Sequence, residues 1–469
     1  MIFVKDQQNM SSIKPSIPKG TRDFSPVVIS KRNYLKAQLA SVFESFGFQP
    51  IETPSFERSE TLLGKYGEEG DRLIFKILNS GEKIKNIDLQ ALQNGELSKF
   101  SNSLSQKALR YDLTVPFARY VAQYQNDIVF PFRRYQMQTV WRADRPQHGR
   151  FQEFLQCDAD VVGERSLWNE VEGVLIYDRA FTKLDLKGVQ VHLNHRKILA
   201  GVAQFIGAES EFMNFTIALD KLSKIGKDGV IKLLHSQGFS SSAIERLKPF
   251  LSQEGNFETK LASVAKVLEG IEIAEEGVDE LKFIYNQLNR QSLKTVNLKF
   301  DITLARGLNY YTGLILEVMP PENIKMGSIG GGGRYDNLTD FFGLNNTSGF
   351  GISFGFDRIF LVLEELNLFP SNLDEKVKLM FSNFGDDSVI FCFDQLIKLR
   401  DKHFPCELYP KPVKLKKQLN YANERSIPNV VILGSEELQK KVFVLKNMVS
   451  GKQTEYPIDQ MFDILIDLA

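Results

Sequence analysis

The sequence predicts an α+β protein in which a sheet is interrupted by a helical segment and followed by a small α/β domain. Three observations carry this. Strand-like patterns run through residues 132–141 and 151–162 and return over 295–319. Between them, residues 196–291 carry almost wholly helical periodicity. Past a change of character at 370–376, strands at 377–384, 407–409, 430–433 and 442–447 alternate with helices.

The elements follow in order. After a polar lead-in, Val27, Val28, Tyr34, Leu35, Leu39, Val42, Phe43 and Phe46 trace a helical face. Ser25 can cap that helix, Pro26 suits its first turn and Gly47 its end. Residues 48–56 read as extended, broken by Pro50 and Pro54. Residues 79–106 are rich in Asn, Ser and Gln and bracketed by apolar runs, which reads mainly as a surface excursion. The strands at 132–141 and 151–162 are joined by a polar loop with Pro146 and Gly149, a long hairpin. A helix over 166–184 and a short strand over 189–194 precede the helical segment. After 319 comes a glycine run, and 349–366 passes from strand into an amphipathic helix. No internal repeat is found.

Composition bounds the class. At 469 residues the chain exceeds one compact core, and 43% apolar residues with 36 phenylalanines supply buried material for several units. Lys+Arg and Asp+Glu both total 58, so any RNA contact needs local basic patches. Cys157, Cys392 and Cys406 are few and scattered, which argues against a disulfide framework or a thiolate metal site and fits a reducing cytosol. No signal-like or membrane-spanning apolar stretch is present, so a soluble, cytoplasmic protein is expected.

Several constellations could carry chemistry. Around the hairpin, Arg142, Asp144, Arg145, Arg150 and Phe154 set arginines beside a carboxylate and an aromatic. Arginine at a strand end can hold a phosphate oxygen while phenylalanine stacks on a base. On composition alone a merely polar hairpin tip is the simpler reading. Arg306, Tyr310 and Tyr311 place a cation beside paired tyrosines, equally compatible with an edge strand carrying surface tyrosines. Gly330–Gly333 offers backbone that a ligand can approach closely. It lacks the Lys-Ser/Thr of a P-loop, and a tight turn is the plain alternative. Gly351-Ile352-Ser353-Phe354-Gly355 matches the nucleophile elbow of serine hydrolases in form. Only His403 lies downstream as a base and no HGGG-type loop precedes it, so that reading is set aside. Arg358, early in the following helix, could pair with a terminal phosphate. His192 and His195 lack further ligands at zinc-like spacing and read as structural. Lys411, Lys414, Lys416 and Lys417 could face nucleic acid, although a solvated helix face is the commoner explanation.

In order and wording these segments resemble the histidyl-tRNA synthetases, class II ligases built on an antiparallel sheet flanked by helices. The likeness spans nearly everything from Pro18. Its opening is Pro18-Lys19-Gly20-Thr21-Arg22-Asp23-Phe24. Pro54 falls in what resembles motif 1, the dimer-forming segment. The Trp141–Asp160 hairpin resembles motif 2, and Gly351–Arg358 resembles motif 3. Leu109-Arg110-Tyr111-Asp112-Leu113-Thr114 resembles a substrate loop. The blocks around Arg306 and around Gly331-Gly332-Gly333-Arg334-Tyr335-Asp336 are particular to the histidine enzymes.

The resemblance implies an ATP-dependent ligase that joins histidine to its tRNA, with ATP as substrate, Mg2+ bound with ATP, no resident metal, and a homodimer. By similarity Arg142 grips the α-phosphate, Arg150 and Arg358 hold the outer phosphates, and Asp144 and Phe154 receive the adenine. Arg142 and Arg306 are the expected catalytic residues, Arg306 stabilising charge between the histidine carboxylate and the α-phosphate. Asp112, Leu113, Thr114 and Gln156 are implied at the amino acid, Asp112, Thr114 and Gln156 at its amino group. Asp160, Tyr310 and Tyr311 are implied around the imidazole, where an acid and a phenol can each pair with one ring nitrogen. Arg145 and Gln147 would meet the tRNA acceptor end. The implied layout is an N-terminal extension (1–17), a catalytic domain in two parts (18–195 and 293–370), a helical insertion (196–292) and an anticodon-binding domain (374–469). Two departures stand out: Asn309 where the family commonly has aspartate, and aspartates at 144 and 160 where many relatives carry glutamate. The rival within the same fold is a regulatory paralogue of such synthetases, which typically lacks the Arg306-type block and the C-terminal domain that this sequence carries.

Overall fold

The computed structural model describes residues 14–305, 311–371, 373, 377–385 and 387–468. In chain order its strands are β1 (Gln49–Pro50), β2 (Phe56–Arg58), β3 (Lys76–Ile77), β4 (Lys107–Leu109), β5 (Phe132–Trp141), β6 (Glu153–Val162), β7 (Val189–His195), β8 (Val296–Phe300), β9 (Leu314–Met319), β10 (Gly330–Tyr335), β11 (Gly349–Phe354), β12 (Leu379–Phe381), β13 (Cys406–Leu408), β14 (Asn429–Ile432), β15 (Val442–Asn447) and β16 (Gln453–Pro457). The chain divides into two units, one covering the described residues to Phe24 with Arg32–Phe369, the other Ser25–Lys31 and the described residues from Pro370.

The main sheet of the first unit has the order β1-β5-β6-β11-β10-β9-β7-β8. β1 runs parallel to β5 and β7 parallel to β8; the other neighbours are antiparallel. The expected hairpin is the β5–β6 pair, with Phe132 opposite Val162 and Trp141 opposite Glu153. Strand alternation divides β6 into two faces. Leu155, Cys157, Ala159 and Val161 point one way and Gln156, Asp158 and Asp160 the other, and all seven are buried. The apolar face continues through Phe354 of β11, whose ring lies 5.6 Å from Phe43, 4.4 Å from Tyr177 and 6.0 Å from Phe181. Those rings belong to the helices Pro26–Ser45 and Trp168–Lys183, which therefore cover the back of the sheet and leave the polar face in front.

The glycine run is a strand, not a turn. Gly330 lies under the Tyr177 hydroxyl, which donates to the Ser353 carbonyl at 2.8 Å and accepts from the Gly331 N–H at 3.0 Å. A Cβ at 330 would sit 2.8 Å from that oxygen, so the missing side chain lets the helix dock. The 79–106 excursion holds short helices, Leu89–Gln93 and Leu97–Leu104, beside the small sheet β2-β4-β3.

Between β7 and β8 the helices Arg196–Ile206, Phe212–Asp220, Leu222–Ser236, Ser241–Leu247, Phe257–Val267 and Glu272–Asn289 realise the helical periodicity. Gly207, at φ 73°, ends the first of them, and Ser240 and Asn256 cap two others. His195 is buried, accepting from the Lys197 N–H at 3.3 Å and meeting Glu280 at 2.9 Å, while His192 meets Asp301 at 3.1 Å. Each histidine is thus engaged by a carboxylate of the same unit.

The second unit is a five-stranded sheet, β13-β12-β14-β15-β16, parallel through its first three strands and antiparallel beyond. Leu379, Phe381, Leu396, Val431, Phe443 and Leu465 share its core. The sequence patterns omit β16, a polar edge strand.

Candidate active site

A cleft of about 400 Å³ opens on the front face of β6, β9, β10 and β11. Its inner end continues into a recess of about 30 Å³ lined by Asp158, Asp160, Tyr335 and Gly351 together with Thr114 and Tyr311.

Asp112 sits just before the helix Thr114–Gln123. Its Oδ1 accepts from the Tyr66 hydroxyl at 2.8 Å and from the Val115 N–H at 3.2 Å. Oδ2 is buried without a hydrogen-bond partner. Burial raises the carboxyl above its ordinary range, opposed by the Tyr66 bond and the charge of Arg142. An ammonium group is the natural complement of such an acceptor.

Arg142 leaves the end of β5 with its guanidinium fixed on several sides. Nε donates to the Tyr111 carbonyl at 2.9 Å and Nη2 to Gln156 Oε1 at 3.4 Å. The group lies 4.4 Å from the Tyr111 ring centre and 5.2 Å from that of Phe154. Gln156 in turn donates from Nε2 to Asp158 Oδ2 at 2.7 Å, so its amide is oriented from both ends.

At the opposite wall Arg358 lies in the first turn of the helix Phe356–Glu365. Its Nε donates to the Gly149 carbonyl at 3.0 Å and its Nη1 to the Ser328 carbonyl at 2.6 Å, fastening the hairpin tip to this helix. Gly149 adopts φ 70° there. The neighbouring Asp357 accepts from Arg22 at 2.8 Å, Arg32 at 2.5 Å and the Leu155 N–H at 3.1 Å. Arg150, about half exposed, faces Asp144 at 3.6 Å.

In the recess, Asp160 Oδ2 lies 2.8 Å from Arg134 Nη2, and Oδ1 accepts from the Tyr335 hydroxyl at 2.7 Å. A Cβ on Gly351 would come within 2.1 Å of that Oδ1. Only glycine leaves the carboxylate its place.

Of the sequence-predicted residues, Asp112, Thr114, Arg142, Asp144, Arg150, Phe154, Gln156, Tyr311 and Arg358 line the cleft. Asp160 lines the recess. Leu113 is buried and precedes the same helix as Thr114. Arg145 and Gln147 are exposed on the hairpin tip, outside the cleft lining. Arg306 and Tyr310 lie outside the described residues. Sequence reasoning missed Asp158 and Arg134, quoted Tyr335 only as part of a family block without a role, and weighed Ser353 only as the nucleophile of the hydrolase reading it set aside; Ser353 faces the front. Asp158 could have been found from the period of two that joins Gln156 to Asp160.

The sequence profile described as histidyl-tRNA synthetase matches residues 20–85 and 88–359. This chain belongs to the histidyl-tRNA synthetase family. The histidyl-tRNA synthetase match ends one residue past Arg358, so the whole cleft lies inside it. A profile described as an anticodon binding domain matches residues 394–468. The chain is 56% identical over 441 residues to the histidine–tRNA ligase of Christiangramia forsetii, covering 94% of this chain and 97% of that one. It is 53% identical over 471 residues to the histidine–tRNA ligase of Flavobacterium johnsoniae, covering 97% and 99%. The crystal structure of histidyl-tRNA synthetase from Nostoc sp. PCC 7120 superposes with a TM-score of 0.78 at 28% identity, covering 97% of this chain and all of that one. The fold is thus the antiparallel-rich sheet of that family with its C-terminal α/β unit.

Proposed function

We infer that the chain activates L-histidine with ATP to histidyl-adenylate and transfers the histidyl group to the 3′ end of its tRNA, releasing pyrophosphate and then AMP. The carrying observation is the convergence in one cleft of a buried, half-satisfied carboxylate at Asp112, anchored guanidiniums at Arg142 and Arg358, and a buried acid at Asp160.

Activation is an in-line attack by the histidine carboxylate on the α-phosphorus, with negative charge gathering on the phosphoryl oxygens. Fixed cations stabilise that charge without reorganising, because their geometry is set beforehand. We assign this role to Arg142 and, from the sequence, to Arg306. Arg150 and Arg358 are assigned to the outer phosphates, and Asp144 and Phe154 to the adenine. Asp112, Leu113, Thr114 and Gln156 are assigned to the bound histidine, the unpartnered Asp112 Oδ2 to its ammonium group. Asp160, Tyr310 and Tyr311 are assigned to the imidazole.

Magnesium would come bound to ATP, as part of the substrate. The Glu317 carboxylate on the cleft wall is the hard oxygen type that this ion takes, and charge neutralisation of the phosphates is what it supplies. The 374–469 segment is assigned to the anticodon arm, with exposed Lys411, Lys414, Lys416 and Lys417 available to RNA phosphates. Arg145 and Gln147 are assigned to the acceptor end and the 196–292 insertion to the acceptor arm. Among the described residues no helix is long and apolar enough to cross a membrane. We take the enzyme to act in the cytoplasm as a homodimer, the latter measurable by sedimentation.

Exchange of labelled pyrophosphate into ATP, run with each of the twenty amino acids, tests the reading. Histidine alone should support exchange, and the Arg306→Ala variant should lose most of it while staying folded. Exchange driven by a different amino acid, or none with histidine, would overturn it.

A further inference from the structure

Among the described residues, the recess at the inner end of the cleft brings together two carboxyls and one guanidinium. Asp158 and Asp160 lie two apart on β6, both buried and both lining it. Arg134, fully buried and opposite Asp160 on β5, comes within 2.8 Å of Asp160, which also receives the Tyr335 hydroxyl. Asp158 is served differently. It accepts from the neutral Gln156 amide, has Ser353 opposite it on β11, and makes no ion pair among the described residues. Among the described residues, the remaining titratable groups around it are the Tyr177 phenol and the Cys157 thiol behind the sheet and Tyr311 at the mouth of the recess. Burial pushes Tyr177 and Cys157 far upward, so both stay neutral.

Charge balance sets the protonation state of the recess. Two ionised carboxylates and one guanidinium leave it with one net negative charge, which is costly in a buried site. One added proton restores neutrality. Burial raises both carboxyls; for Asp158 the field of Arg134 opposes it and that of Asp160 adds to it, leaving Asp158 at about 7. The proton belongs to the pair. Arg134 and Tyr335 fix the negative charge on Asp160, so the proton resides on Asp158.

We propose that Asp158 is the specificity-determining residue for the imidazole: it carries a proton in the free protein and passes it to a ring nitrogen of the incoming histidine. The O–H bond of Asp158 breaks, an N–H bond forms on the ring, and the imidazolium is held between two carboxylates with the recess still neutral. Isosteric amides such as asparagine and glutamine cannot take up that proton, which leaves a buried group unpaired. The inference rests on the histidine reading above, and it adds a second acid and a protonation state to it.

Calorimetric titration of histidine into the unsubstituted protein at pH 8, in two buffers of different ionisation enthalpy, measures the proton directly. At that pH a free imidazole, with its ordinary pKa of about 6.5, is neutral, and Asp158 is mostly ionised. Binding should therefore take up close to one proton per histidine. In pyrophosphate exchange the histidine KM of the parent should rise roughly tenfold per unit above pH 7, since one bound proton is linked to binding. In Asp158→Asn it should be raised about a hundredfold at pH 7 and be flat to pH 8.5, with the ATP KM unchanged. Zero proton uptake, or an Asn variant with the parent's profile, overturns the proposal while leaving the histidine reading intact. A parent protein that does not respond to histidine overturns both. Should the Asn variant fail to fold, the calorimetry alone decides.

Discussion

Arg334 of β10 and Glu170 of the helix Trp168–Lys183 form a two-point ion pair behind the sheet, Nε to Oε1 at 2.5 Å and Nη2 to Oε2 at 2.8 Å. From the same guanidinium a chain leads toward the cleft. Arg334 donates to Ser348 at 2.6 Å, Ser348 to Asp336 at 2.5 Å, and Asp336 accepts from Thr312 at 2.6 Å. Thr312 adjoins Tyr311, so a buried ion pair on the back of the sheet helps to set a cleft residue on its front.

Breaking that pair from one side strands a buried charge. Glu170→Gln is expected to destabilise the first unit by about 3–5 kcal/mol and to weaken histidine-dependent exchange through Tyr311. Urea unfolding followed by circular dichroism, beside exchange kinetics, checks both parts. A stability within error of the parent would show that the ion pair does not hold the sheet to its helix.

Asp112 makes a separate prediction. Its Oδ2 is buried without a hydrogen-bond partner in a residue that lines the cleft, so Asp112→Asn keeps the shape and removes the charge. A hydrogen bond to a charged group contributes about 1.5–3 kcal/mol. The histidine KM should rise roughly tenfold to a hundredfold with the ATP KM unmoved. Equal rises in both constants would show that the residue supports the whole cleft instead of meeting the amino acid.

The strands of the hairpin were readable because period-two alternation is a local signal, whereas the nine expected residues that line the cleft came from the family resemblance, the hairpin arginines alone being equally compatible with a polar tip. Arg134 and Tyr335 were not readable. They act through partners 26 and 175 residues away, and nothing in the run of residues around either announces a carboxylate. The glycine run misled for a physical reason. Glycine is depleted in strands, yet Gly330 and Gly351 are strand residues whose missing Cβ makes room for Tyr177 and Asp160. β16 was hidden because Gln453–Pro457 is polar and its exposure alternates as an edge strand's does.

Those glycines can be tested against one another. At Gly351 an added Cβ would meet Asp160 Oδ1 at 2.1 Å, whereas at Gly331 the nearest atom is the Leu316 carbonyl at 3.3 Å. Gly351→Ala should cost about 1–3 kcal/mol as overpacking and abolish histidine binding by displacing Asp160. Gly331→Ala should cost less and be felt mainly in substrate KM. Comparing melting temperatures and histidine titrations of the two variants decides it, and a reversed order of stability would contradict the geometry.

Glu280 predicts an acid limb. Burial alone would raise its carboxyl, but hydrogen bonds from His195 and Lys197 outweigh that and lower it from 4.5 to about 2. A carboxyl depressed on folding stabilises the protein above its unfolded pKa and loses that contribution as the pH falls toward the folded one. Its partners tie the helix Glu272–Asn289 to the end of β7. Glu280→Gln should therefore melt below the parent at pH 6, with the gap narrowing between pH 4.5 and 2 as the parent's carboxylate takes up its proton. Differential scanning calorimetry of both proteins at pH 6, 4 and 3 measures this. A gap that stays constant down to pH 3 would mean that packing, not the charge on Glu280, secures the helix.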